Sequence, residues 1–427
     1  MNQKISSYGW LMVACGFLIL LVTNGMTLTG ITVFDNLLLT EFGWQRGALK
    51  LRDLITFAGA GMIAPLFGYY ADKGHIKNCL LLGCGFLAAG LIVYSKVESL
   101  AGVYLAHAFF GLSLAAAGIV SVVFLVSTQV PASRRGLALG LALVGSSLGN
   151  TVFPQLSLNL LKSMDWRSAF LNLSLVPALL AVAIVFTVRR RMLRPPQGAV
   201  TSSTQESVTA TSESESVNVV PSQPLSSILL SSAFWKIGII AMLTFFAILG
   251  VTSHAFLRLT GAGFAPQEAG RAIGILFMMG LVGKLFSGVF ADRFSHRTLM
   301  AVSLLLMIAG AVGLASFVSQ GLLYWVVAFG LGWGALYTLI QIATVSSFGT
   351  VGSGRILGAI AVLEALGGGL GPWLIGLTFD KTGSYSFGFS LIAAGLVVAF
   401  VLSRLLPESR SHFAAAVQKQ SVFPNAL

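Results

Sequence analysis

Gly68-Tyr-Tyr-Ala-Asp72-Lys73 closes one long apolar run of this chain, and Gly288-Val-Phe-Ala-Asp292-Arg293 closes another, 220 residues later. A second pair repeats at nearly the same offset. Gly145-Ser-Ser-Leu-Gly149 has Pro154 beyond it, and Gly367-Gly-Gly-Leu-Gly371 runs straight into Pro372, 222 residues on. Two motifs at one spacing argue for a duplicated unit. Parallel repeats of this kind place a binding site near the bilayer midplane, between the halves.

The residues around these motifs set the solvent. The chain is 56% hydrophobic and 9% charged over 427 residues, whereas soluble domains carry about 25% charged residues. Apolar runs predict spans near 9–34, 49–71, 79–95, 103–126, 137–161, 168–188, 234–257, 271–291, 298–318, 322–345, 356–378 and 385–405. Lipid offers backbone groups no partners, so such runs must be helices. A β-barrel would alternate apolar and polar residues over short strands, and these runs are continuous. The expected fold is an all-α integral membrane protein, with twelve transmembrane helices in two pseudo-symmetric six-helix bundles.

The bundles are read as residues 1–188 and 234–405, with a basic linker at 189–233 and a tail at 406–427. Within the linker, Thr201 to Pro224 is rich in Ser, Thr and Glu and is expected to be disordered, since it has too little apolar surface to bury. Sixteen Lys and Arg fall on the side of the N-terminus and nine on the other, with Lys284 left inside a span. That bias predicts cytoplasmic termini. The first apolar run, from Trp10 to Phe34, is too long for a signal-peptide core and reads as a retained span. The net charge of +12 is spread as short clusters between spans, which reports topology and argues against nucleic acid as a partner. Cys15, Cys79 and Cys84 sit in apolar runs without ligand spacing and read as packing residues.

Taken with these repeats, the sequence resembles the major facilitator superfamily over nearly its whole length outside the linker and tail. The two Gly-x-x-x-Asp-Arg/Lys loops carry the likeness, together with Asp165-Trp166-Arg167 before span six. After Lys73 the first copy departs from the family pattern, reading Gly74-His75-Ile76-Lys77. Within the superfamily the chain resembles bacterial monocarboxylate porters. Glu41-Phe42-Gly43-Trp44-Gln45-Arg46, Arg135-Gly-Leu-Ala-Leu-Gly140 and Asp380-Lys-Thr-Gly383-Ser-Tyr385 are similar to their segments. Lys284 falls where those porters carry a basic residue, an arginine that binds the carboxylate in animal members. Lysine there is a point charge rather than a planar fork. Animal members also carry a functional lysine in span one, and the matching position here is Thr29.

Burying a charge at a helix centre costs roughly 2.5–3.5 kcal/mol even on an insertion scale, so mid-span charges point to function. Lys284 and Glu364 are the two that qualify. Lys284 is expected to attract a carboxylate and Glu364 to carry a proton, against the plainer reading of a permanent ion pair between them. Tyr337 and Gln341 share one face of span ten as candidate ligand contacts. Asn24, Thr29, Asn150 and Ser146 are weaker candidates, with hydrogen bonding between helices as the competing role. His107 is a second proton candidate against a packing role. Arg52 and Asp53 are expected to pair or to face water. Asp72, Lys73, Asp292 and Arg293 are gating candidates, against simple topology anchoring. Pro154 and Pro372 are expected to break or kink their helices.

The leading expectation is proton-coupled symport of small monocarboxylates across a bacterial inner membrane, with no cofactor or metal and with the lipid bilayer as surroundings. The alternative is an exporter or exchanger of another small molecule, including organic-anion antiport. A membrane enzyme would want a metal-ligand or acid/His cluster, and the sequence offers none. Oligomeric state is not legible.

Overall fold

The computed structural model describes residues 5–131, 135–188, 228–290, 294–316, 321–348 and 353–406. The expected linker disorder, Asp292 and Arg293 lie outside these residues, as does the side chain of Asp72. The described chain is all helix. In chain order the spans are α1 (Ser7–Phe42), α2 (Arg46–Tyr70), α3 (Ile76–Ser95), α4 (Leu100–Gln129), α5 (Arg135–Leu160), α6 (Trp166–Thr187), α7 (Ser232–Gly261), α8 (Pro266–Phe290), α9 (His296–Ser316), α10 (Leu322–Phe348), α11 (Ser353–Thr382) and α12 (Tyr385–Arg404). Among the described residues eleven segments are long and apolar enough to cross a bilayer, and α5 fills the remaining place.

The boundaries moved where charge was concerned. Span one was expected to stop at Phe34, yet helix continues to Phe42. Asp35 does not end the span because its carboxylate is paired inside the protein with Lys50 and Arg52. The middle of α1 is wound differently, as a π segment over Gly25–Gly30 and a 3-10 turn over Thr32–Phe34. Hydroxyls of Thr23, Thr27 and Thr32 bond carbonyls three or four residues back. α4 breaks at Gly118, where ψ is −160° and a Cβ would stand 2.1 Å from the carbonyl oxygen of Leu114.

The duplication is visible as two matching seams. A Cβ on Gly145 would meet the carbonyl oxygen of Phe17 at 2.1 Å, and one on Gly149 that of Leu21 at 2.1 Å, so α5 lies backbone-close on α1. In the second half Gly367 faces the carbonyl oxygen of Met242 at 2.0 Å and Gly371 that of Phe246 at 2.4 Å, so α11 lies on α7 in the same way. Small residues four apart give van der Waals packing that lipid-facing Leu cannot. Both helices run unbroken through Pro154 and Pro372. Pro154 removes the partner of the Asn150 carbonyl one turn back, and the Thr29 hydroxyl donates to that carbonyl at 3.1 Å instead.

An even number of spans puts both chain ends on one face, called here the terminal face, with the opposite face called the far face. The bundles meet along α2 with α11 and along α5 with α8. Cβ atoms at Gly47 and Gly376 would each touch backbone of the other helix at about 3 Å, while Gly369 abuts Leu54, Gly274 abuts Thr151 and Gly270 abuts Gln155. All of these lie in the far halves of their helices. The α2–α11 contact thins near Gly61 and Ala365, at 3.6 Å. Beyond it α2 is uncovered: Met62 is 81% exposed and Leu66 54%.

Candidate functional site

The far face is held shut by two motifs meeting across the bundles. α2 starts at Arg46 with no cap from its own Gln45 side chain. The Asp380 carboxylate, from the end of α11, accepts from the backbone N–H of Arg46 at 2.8 Å and of Gly47 at 2.6 Å. A carboxylate there satisfies orphan donors and faces the positive end of the helix dipole. The Arg46 guanidinium lies 3.8 Å from the Phe379 ring centre and donates to the Tyr385 hydroxyl at 2.5 Å. Alongside, Glu41 accepts from the Trp166 indole at 2.6 Å and from Arg167 at 2.8 Å, docking the first family-like segment on Asp165-Trp166-Arg167.

Beneath this lid lies a cluster that sequence reasoning misplaced. The charge balance puts Lys50 and Arg52 on the far side, at the outer end of span two; both are 0% exposed. Asp35 bridges them, accepting from Lys50 Nζ and from Arg52 Nη2 at 2.5 Å each. Arg52 also donates to the Tyr94 hydroxyl at 2.7 Å. Asp53 lies 3.7 Å from Arg52 Nε and accepts from the Ser253 hydroxyl of α7 at 2.5 Å. Lys50 donates to the carbonyl oxygen and the hydroxyl of the same Ser253. Two cations and two carboxylates thus share one buried site, and Ser253 ties it to the second bundle. The missed signal was spacing. Lys50, Arg52 and Asp53 sit one to two turns inside a 25-residue helix, which is too deep for loop charges.

In the second bundle the predicted residues do converge. The Lys284 ammonium on α8 lies 5.2 Å from the Trp333 ring centre and 5.0 Å from that of Tyr337, both on α10. Close approach of the backbones makes this possible: a Cβ on Gly334 would overlap the Gly280 carbonyl oxygen at 1.8 Å. Tyr337 is 5.9 Å from the Phe245 ring of α7. One turn on, Gln341 donates to Glu364 of α11 at 3.4 Å. Lys284, Tyr337, Gln341 and Glu364 are all partly exposed. The permanent Lys284–Glu364 pair is not formed: among the described ion pairs neither residue appears.

The first-bundle candidates are placed differently. Thr29 donates to the Asn150 side-chain oxygen at 3.0 Å, both residues are buried, and Asn150 Nδ2 reaches the Ser146 carbonyl. The Thr29–Asn150 bond joins α1 to α5. Asn24 is 7% exposed and reaches Thr23 at 3.4 Å. His107 is 0% exposed, bonded through Nδ1 to the Thr56 hydroxyl at 2.8 Å and packed on Tyr94 and Phe110, so it presents no surface to a ligand. Lys73 is exposed and lies 4.4 Å from the Tyr69 ring centre. The three cysteines are buried and free.

Comparison with known proteins fits this geometry. The family model for the Major Facilitator Superfamily matches residues 15–372. An MFS-type transporter of Aspergillus fumigatus is 26% identical over 357 residues, covering 79% of this chain and 78% of that protein. Human monocarboxylate transporter 12 is 24% identical over 440 residues, covering 97% of this chain and 84% of that one. The crystal structure of a bacterial homolog of the human lysosomal transporter Spinster, inward-facing and unoccupied, superposes with a TM-score of 0.73 at 16% identity, covering 94% of this chain and 98% of that one. With twelve spans among its described residues and two glycine-locked repeats, this chain belongs to the Major Facilitator Superfamily and is a membrane transporter rather than an enzyme.

Proposed function

We propose that the protein is a proton-coupled symporter of small monocarboxylates working by alternating access in a bacterial inner membrane. Both termini are cytoplasmic in this reading, so the closed far face is the outer one. One observation carries the proposal: the Lys284 ammonium has aromatic faces rather than a carboxylate beside it. A cation solvated by ring quadrupoles keeps its charge available to an incoming anion, and the Tyr337 and Gln341 polar groups stand on the same helix face. Apolar rings around a single cation suit a short carboxylate with a small organic tail. Glu364 of α11, which accepts from Gln341 one turn along α10 from Tyr337, is the acid that exchanges protons as access alternates. The resemblance to monocarboxylate transporters supports the substrate class.

The test is uptake of labelled lactate, pyruvate and other short carboxylates into proteoliposomes, with and without an inward proton gradient. Gradient-driven uptake that is lost in Lys284→Ala and retained in part in Lys284→Arg supports the reading. Uptake indifferent to the gradient removes proton coupling. No uptake of any member of the panel favours an exporter or exchanger of another molecule.

A further inference from the structure

We propose that Asp53 is a proton-binding carboxyl whose loading releases the far-face seal, an assignment that rests on the proton-coupled reading above. The argument begins with charge balance. Asp35 and Asp53 against Lys50 and Arg52 sum to zero, and that is the condition for sealing all four away from water. A buried cluster with one charge unmatched is strongly disfavoured unless water reaches it.

Of the four, Asp53 alone has accessible side-chain surface, 12% against 0% for each of the others. Asp53 lines a small cavity with room for about one water, its wall mixed: the hydroxyl residues Thr27, Thr56, Thr252 and Ser253 alternate with apolar Leu28, Phe57 and Leu249. The cavity lies where α1, α2, α7 and α11 converge. A proton arriving there meets a carboxylate with an open oxygen. Asp53 Oδ2 accepts from the Ser253 hydroxyl, and among the described residues Oδ1 has Arg52 Nε at 3.7 Å, beyond hydrogen-bond reach. Transfer of a proton from cavity water to Oδ1 forms one O–H bond, leaves hydroxide or a neutral water behind according to the donor, and involves no electron transfer.

Two consequences follow from neutralising Asp53. The cluster becomes net positive, with Asp35 left to balance both Lys50 and Arg52. The hydrogen bond from Ser253, which crosses between bundles, changes from one to a carboxylate into one to a neutral acid, and charge-assisted bonds are roughly twice as strong. Both effects favour the state in which the far face opens and water solvates the cluster. The other groups packed around the site do not replace Asp53. His107 of α4 is turned to Thr56, and His254 of α7 is bonded to the Pro372 carbonyl at 2.8 Å and the Tyr385 hydroxyl at 3.1 Å. The Tyr94 hydroxyl of α3 accepts from Arg52.

The experiment reads the seal without substrate. Full-length protein in lipid nanodiscs, with the native cysteines replaced by alanine, is spin-labelled at Glu98→Cys and Lys381→Cys, exposed far-face sites on opposite bundles. Distances are measured by pulsed electron resonance between pH 8 and pH 5. In the parent the distribution is expected to shift to longer distances as pH falls. Asp53→Asn is expected to show the long-distance population at every pH, Asp53→Glu to restore a titration, and Glu364→Gln to titrate like the parent. An Asp53→Asn protein that responds to pH like the parent overturns the assignment. So does a response that disappears in His107→Gln or His254→Gln instead, or one reproduced by sodium ions at constant pH. Gradient-driven uptake alongside any such result sinks Asp53 alone, whereas gradient-indifferent uptake beside an intact titration sinks the coupled-symport reading.

Discussion

Asp380 caps the first turn of α2 although it belongs to the other bundle, its two oxygens 2.8 and 2.6 Å from the N–H groups of Arg46 and Gly47. A helix cap is ordinarily a local device that stabilises one helix. Here it stabilises one arrangement of two bundles, because the bond exists only while the far face is closed.

Removing that cap should therefore shift a conformational balance more than it lowers stability. Loss of a helix cap costs about 1 kcal/mol, which is roughly a fivefold change in an equilibrium. Asp380→Ala is expected to raise the labelling rate of a single cysteine at Leu54, which packs on Gly369 in the closed face, by about that factor with an impermeant maleimide. An unchanged rate would mean that Arg46 and the buried cluster hold the face without Asp380.

The four-charge cluster makes a prediction about compensation. Breaking a buried ion pair by removing one partner costs roughly 3–5 kcal/mol. Lys50→Met should lower the melting temperature in detergent markedly, because it leaves two carboxylates against one guanidinium. Adding Asp53→Asn to Lys50→Met restores neutrality and should recover part of the loss. Additive losses in the double variant would show that local hydrogen bonds, and not charge balance, govern the site.

Glycine seams can be tested against glycines in open space. Gly149→Ala places a methyl 2.1 Å from the Leu21 carbonyl oxygen, and overpacking of this kind costs roughly 1–3 kcal/mol. A Cβ at Gly85, within α3, has nothing within 4 Å; there the gain in helix propensity, up to about 1 kcal/mol, should leave stability equal or raised. Thermal unfolding of the two variants side by side checks the contrast.

Tyr337 separates ring from hydroxyl. Tyr337→Phe keeps the face beneath the Lys284 ammonium and should leave KM for the transported anion within about twofold. Tyr337→Leu removes a cation–π contact worth roughly 0.5–2 kcal/mol and should move KM several-fold with little loss of folded protein. Equal effects of both variants would assign the role to the hydroxyl instead.

The residues that announced themselves in the sequence did so against an apolar background. Lys284 and Glu364 were legible because each is a lone charge far from a helix end, and Tyr337 and Gln341 because they are four apart. That Lys284 rests on Trp333 and Tyr337 rather than on Glu364 was not legible, since it depends on how far Gly280 and Gly334 let α8 and α10 approach. Thr29 and Asn150 were read as polar residues with two possible roles. The bond between them, and the proline-freed carbonyl that Thr29 also caps, depend on how α1 lies against α5 and were not legible.

The sequence by itself determined the solvent, the helices, the duplication and the family, because each follows from local composition or from a repeat along the chain. Lipid leaves the backbone no alternative to helix, and glycines four apart mark where helices come closest. Tertiary structure alone decided that the charges at the outer span ends are buried together. Asp35 stands just past the expected end of span one, and Lys50, Arg52 and Asp53 at the outer end of span two, until α1, α2 and α7 close around them. Burial of a charge depends on partners that are distant in sequence: Ser253 lies 200 residues from Asp53, and no local pattern reports that contact.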